Sequence, residues 1–161
     1  MWLANVIVDN NPGHYFMHPW FWSSFLGWTL AQCIKMTRAA LKTKSIDFEY
    51  LVSTGGMPSA HSAMVTGLST AIGLTEGFGS PIAMLAVGFA AVTVFDAATV
   101  RHAAGEQARV LNRLVHEFVR FHHLPTVAHL KELLGHTRKE VLWGMVTGIM
   151  TAIVVCWLWP K

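Results

Sequence analysis

From Val141 to Pro160 the chain carries no charged side chain, and that run limits what the molecule can be. A helix needs roughly 20 residues to cross a hydrocarbon core about 30 Å thick, so the run has the length of one crossing. Trp143, Trp157 and Trp159 stand near its ends, where amphipathic rings settle at the membrane–water boundary. Only 13% of all residues are charged and 53% are hydrophobic. A soluble domain has about 25% charged residues. Lipid is the solvent that these proportions fit.

Three further apolar stretches occupy residues 19–41, 58–75 and 80–98, and the last span is 141–159. The second is rich in Gly, Ser, Thr and Ala, the small residues that let helices approach closely in membranes. It and the third are slightly short for a crossing, which predicts tilt or burial among neighbours. Residues 100–139 are polar, with Leu111, Leu114, Val115, Phe118 and Val119 recurring at helical spacing between Arg109, Arg113, Glu117 and Arg120. This reads as an amphipathic helix that lies on the membrane or caps the bundle. Leu124-Pro125 breaks it, and a shorter helix over 126–134 leads into Gly135. The expected fold is an all-α membrane protein, a bundle of about four transmembrane helices plus a cytoplasmic amphipathic helix. Residues 1–18 form an N-terminal extension and 19–161 one membrane domain. The start of the chain lacks the basic region and small-residue cleavage site of a signal peptide.

Composition also excludes partners. The net charge of +3 is small, and no stretch interleaves aromatic and basic residues as a nucleic-acid groove does. Cys33 and Cys156 lie inside apolar runs and read as packing residues, not as a disulfide framework or a metal site. Apart from His14-x3-His18, the histidines outside the two doorways described below lack tight ligand spacing, so no metal is expected.

Basic residues predict the topology. Lys35, Arg38, Lys42 and Lys44 cluster at and after the end of the first span. Arg101, Arg109, Arg113, Arg120, Lys131, Arg138 and Lys139 follow the third, and only Lys161 falls on the other side. The positive-inside rule makes the loops after spans one and three cytoplasmic and puts both termini outside.

This arrangement gathers chemistry on one face. His61 stands at the doorway of the second span, in Gly55-Gly56-Met57-Pro58-Ser59-Ala60-His61-Ser62, and His136 at that of the fourth, in Gly135-His136-Thr137-Arg138-Lys139-Glu140. Helix N-termini offer unpaired N–H groups and partial positive charge, which suits phosphate. Lys35, Arg38, Asp96 and Arg101 sit at the same level, and ionisable groups at the apolar edge are costly enough to mark function. Each piece has a structural alternative. Pro58 and Ser59 can simply start a helix. His61 can be a satisfied buried histidine, and Thr137 with Glu140 forms a T-x-x-E capping box. Glu140 can instead orient the imidazole of His136. Lys35 and Arg38 can anchor a helix end, and Asp96 with Arg101 can be a structural ion pair.

Met57-Pro58-Ser59-Ala60-His61-Ser62 resembles the Pro-Ser-Gly-His motif of the type 2 phosphatidic acid phosphatase (PAP2) superfamily, which includes vanadium haloperoxidases. Ala60 replaces the glycine, and His136-x3-Glu140 resembles that superfamily's later His-x3-Asp motif. More closely, residues 31–148 resemble the divergent PAP2 family of small membrane proteins. The resemblance runs through Ala31-Gln32-Cys33-Ile34-Lys35, residues 53–62, Asp96-Ala97-Ala98-Thr99-Val100-Arg101, Gly105-Glu106-Gln107-Ala108, Leu111-Asn112 and Leu130-Lys131-Glu132-Leu133-Leu134-Gly135-His136-Thr137.

The resemblance implies roles. His136 would attack phosphorus with Glu140 orienting it, and His61 would protonate the leaving alkoxide. Lys35, Arg101 and Lys131, with Ser59 and the N–H groups after Pro58, would hold the phosphoryl oxygens. No cofactor or metal is implied. Departures are specific: Lys35-x6 reaches Lys42 followed by Thr43 instead of Arg-Pro, and Leu130 stands where the Ser-Arg-x5-His pattern has arginine. Thr99 replaces a glycine usual in the divergent family. Arg101 or Lys131 would have to supply the missing cation. The leading expectation is a multi-pass membrane phosphatase that acts on a lipid or isoprenoid phosphomonoester through a phosphohistidine. The alternative is a non-catalytic membrane protein that binds or transports phosphate or lipid phosphates. A haloperoxidase does not fit the lipid setting. Expected partners are the lipid phosphate and membrane lipid but no nucleic acid, with a homo-oligomer left open.

Overall fold

The computed structural model describes residues 12–44, 56–122, 130 and 136–160, apart from a few side chains. Regular structure among the described residues is entirely helical. A 3-10 turn, Pro12–Met17, precedes α1 (Pro19–Thr43), α2 (Ala60–Glu76), α3 (Pro81–Ala98), α4 (Val100–His122) and α5 (Arg138–Leu158). The helix boundaries follow local chemistry. Proline begins α1 and α3, where its missing N–H costs nothing. Ser80 caps α3, its hydroxyl accepting from the Ala83 N–H at 3.3 Å. α1 ends at Lys44, in the left-handed region at φ 55°, whose N–H donates to the Ala40 carbonyl.

α2 is the central helix, packed against α1, α3 and α5, while α1 and α5 also touch. Small residues make this possible. A Cβ on Gly67 would come within 2.7 Å of the Ser23 carbonyl of α1, and one on Gly148 would overlap the Ala63 carbonyl and Thr66 hydroxyl of α2. Close backbone approach replaces the hydrophobic driving force that lipid does not supply. At the end away from the two histidines, Trp20 Nε1 donates to the Thr75 hydroxyl at 2.7 Å and ties α1 to α2.

Among the described residues two stretches are long and apolar enough to cross a membrane, Pro81–His122 and Arg138–Leu158. At 17 residues α2 is about 26 Å long and is buried among three neighbours. α3 turns its large side chains outward, with Leu85 74% and Val92 70% exposed. Cys33 is exposed on α1 rather than packed, and Cys156 is half-buried.

The polar stretch after α3 begins with the helix α4, joined to α3 through the single residue Thr99. Its apolar stripe does not face the bundle. Leu111, Leu114 and Phe118 are exposed, and the buried positions on α4 are Gly105, Ala108 and Asn112. The break at Leu124-Pro125 and the helix expected over 126–134 lie outside the described residues.

Candidate active site at the two helix doorways

The site is built from helix ends. Ser59 caps α2: its hydroxyl accepts from the Ser62 N–H at 3.4 Å and from the Ser62 hydroxyl at 3.0 Å. Pro58 therefore stands before the cap, in a cis bond to Met57, and not inside the first turn where a helix-starting proline was expected. Thr137 caps α5 in a complete capping box. The Glu140 N–H reaches the Thr137 hydroxyl at 3.4 Å, and Glu140 Oε2 accepts from the Thr137 N–H at 2.9 Å. That same oxygen lies 3.3 Å from His136 Nδ1. The two readings of Glu140, helix cap and imidazole orienter, are thus one arrangement.

Backbone contacts bring the doorways together. The Ser59 N–H donates to the Glu140 carbonyl at 2.9 Å, and the His136 N–H donates to the Ala97 carbonyl of α3 at 3.2 Å. Gly144 permits the first contact, since a Cβ there would overlap the Ser59 carbonyl and crowd the Ser62 and Ser59 Cβ atoms at 3.0 and 3.1 Å. From the other side, Asn112 of α4 grips the segment that leads to His136. Its carboxamide donates to the Leu130 carbonyl at 2.8 Å and accepts from the Leu130 N–H at 2.9 Å.

His136 is buried and Lys35 only 4% exposed, whereas His61, the second residue of α2, is exposed. The aliphatic stem of Lys35 lies under Gly56, whose φ of 97° and missing side chain leave room for it; a Cβ there would sit 3.3 Å from Lys35 Cγ. Burial lowers the pKa of the His136 imidazole from its ordinary 6.5. The Glu140 charge and hydrogen bond oppose that shift, while the charges of Lys35 and His61 add to it. One imidazole thus senses groups from α1, α2 and α5, and its own backbone is held by α3. Asp96 is half-buried next to Ala97. The side chain of Arg101 and all of Lys131 lie outside the described residues, so an Asp96–Arg101 ion pair and either candidate replacement for the missing arginine do too.

Chemically, the arrangement presents a buried imidazole polarised at Nδ1 by a carboxylate, an exposed second imidazole and a buried ammonium. With Nδ1 held by Glu140, the ring nitrogen remaining for bond formation is Nε2. Among the described residues no three His, Cys, Asp or Glu side chains gather closely enough to hold a metal ion. Ser59 is fully buried, its N–H donating in the tie between α2 and α5 and its hydroxyl oxygen accepting in the cap. Sequence reasoning passed over Gly144 and gave Asn112 no role. Gly144-x3-Gly148 on α5, a small-x3-small pattern, was the available signal for the former.

Comparison with known proteins extends these observations. A family model described as the divergent PAP2 family matches residues 16–151. An uncharacterized membrane protein of Bacillus subtilis (strain 168), YuiD, is 42% identical over 145 residues, 84% of this chain and 92% of that protein. No solved structure matches the chain.

Proposed function

This membrane protein belongs to the divergent PAP2 family, and from that premise we propose that it hydrolyses a lipid or isoprenoid phosphomonoester through a phosphohistidine. The observation that carries the reading is the Glu140–His136 pair beside Lys35 and His61 at four converging helix ends. His136 Nε2 attacks phosphorus and the P–O bond to the alcohol breaks. His61, protonated, gives its proton to the departing alkoxide. The ring of His136 becomes cationic as the N–P bond forms, and the Glu140 carboxylate 3.3 Å from Nδ1 stabilises that charge. Water then attacks the phosphohistidine while neutral His61 takes its proton, releasing inorganic phosphate and restoring both imidazoles. Lys35 faces the phosphoryl oxygens, with Arg101 or Lys131 as the second cation. Ser59 and the N–H groups after Pro58 complete the phosphate cradle.

The test is phosphate release by purified protein from a panel of lipid phosphates, together with trapping of an acid-labile label. Label on His136, loss of release in His136→Ala and severe reduction in His61→Ala are expected. Full release in both variants overturns the assignment. Leu130 in place of the motif arginine favours one other reading, a phosphate or lipid-phosphate binder. Saturable binding of phosphate or vanadate with no label on His136 would establish that instead.

In the same reading α1, α2, α3 and α5 cross the membrane, α4 lies along the cytoplasmic surface, and the site opens to the cytoplasm. Single cysteines at Gln107 and Gly79, in a chain with Cys33 and Cys156 replaced, test this. An impermeant maleimide should label position 79 in intact cells and position 107 only after the membrane is opened. The reverse pattern refutes the orientation.

A further inference from the structure

A groove of about 670 Å³ runs between α1 and α5, from Leu26 to Arg38 on one side and from Trp143 to Val155 on the other. At 1.5 Å per residue each wall is about 18 Å long. That is close to one leaflet of hydrocarbon, about half of a core roughly 30 Å thick. Its lining is apolar in practice, because the hydroxyls of Thr147 and Thr151 donate to carbonyls of their own helix at 2.8 Å each. Only Arg38 brings charge, and it does so at one end. Met57 and Pro58, which precede the Ser59 cap, also line the groove, and the neighbouring Gly56 packs on Lys35, so the Arg38 end lies beside the doorway. Lys35, one turn before Arg38 on α1, lies buried beneath the doorway loop while Arg38 stands outside it.

We propose that this groove holds the single hydrocarbon chain of a phosphomonoester whose phosphate lies at the doorway, with Arg38 meeting the phosphate at the mouth. The inference rests on the phosphatase reading for what happens to the phosphate, but not for where the chain lies. Three features select this occupant over a packed helix of a second copy. The groove reaches Met57 and Pro58, directly before the Ser59 cap of α2, its one cation stands at the end where an anionic head would be, and its length matches a chain confined to one leaflet.

The experiment uses the full chain in lipid nanodiscs with hexadecyl phosphate carrying a mid-chain diazirine, and the matching hexadecanol. The phosphate probe should label Leu30, Ile34, Val146 or Met150, and Arg38→Gln should reduce that labelling to the level of the alcohol. Met150→Trp and Leu30→Trp, both at partly exposed positions, should each lower the ratio of hexadecyl phosphate to phenyl phosphate hydrolysis about tenfold, the worth of roughly two methylenes excluded from apolar contact. Equal labelling by the alcohol means annular lipid only and overturns the proposal. So does labelling confined to the outer face of α3, or probe-independent cross-linking of two copies through this groove. Groove labelling without phosphate release would overturn the phosphatase and leave the groove standing. Release with labelling elsewhere and an unmoved ratio would do the opposite.

Discussion

The backbone N–H of Ser59 donates to the carbonyl of Glu140 at 2.9 Å, joining the cap of α2 to the first turn of α5. Each residue also completes its own helix cap. Relative placement of the two histidines is therefore set by main-chain atoms, which rotamer changes do not disturb.

Gly144 is the spacer for this contact. Gly144→Ala should force α5 away from Ser59, at a stability cost of about 1–3 kcal/mol from overpacking. Misplacing the imidazoles by roughly 1 Å should lower phosphate release on the order of 10²-fold. Gly88→Ala is the control, since a Cβ there meets nothing within 4 Å. Thermal unfolding in detergent and phosphate release measured together check both effects.

The double use of Glu140 can be taken apart. Glu140→Gln keeps an oxygen for the Thr137 N–H, since glutamine also closes a capping box. It removes the charge beside His136. Stability should hold while release falls on the order of 10²-fold or more. Glu140→Ala should lose the same activity and about 1 kcal/mol of stability as well. Equal loss of stability in both variants would show that the charge, not the cap, holds α5 in place.

His136 should titrate below 6.5, because burial outweighs the opposing pull of Glu140. Its preference for the neutral form contributes stability that is fully present above the unfolded value near 6.5 and is lost as pH falls through the lower folded value. The neutral nucleophile likewise persists into mildly acid solution. Imidazole NMR in labelled protein should find a pKa that drops further in Glu140→Gln and rises in Lys35→Met. A folded value above 6.5 would contradict the burial argument.

Asn112 tests whether α4 serves the site. Asn112→Ala removes two hydrogen bonds to Leu130, each worth about 1 kcal/mol. The helices of the bundle should remain packed, and turnover should fall, as the segment before His136 loses its grip on α4. Rescue by Asn112→Gln is not expected, because the longer side chain displaces both contacts.

Much of this was legible in the chain because lipid makes strong demands on sequence. The uncharged run after Glu140 and the T-x-x-E box located α5 and its cap. Pro58 and Ser59 marked the start of α2 within two residues, but not that the proline stands outside the helix. The apolar stripe of α4 marked a helix and left open whether it lies on the membrane or caps the bundle. Periodicity reports which residues share a face but not whether that face meets protein or lipid. The motif likewise names Ser59 without announcing that its N–H ties α2 to α5. Asn112 and Gly144 act on backbone atoms distant in sequence, and no local pattern announces such partners.

Because Glu140 Oε2 serves both the helix and the imidazole, loss of the chemistry alone does not free this position. A lineage that gave up turnover would still be held to an acidic or amide side chain here by the needs of α5. Persistence of that residue among relatives is therefore a marker of architecture. His61, exposed on the first turn of α2, is the better marker of chemistry, and its replacement is where a descent into pure binding would first become visible.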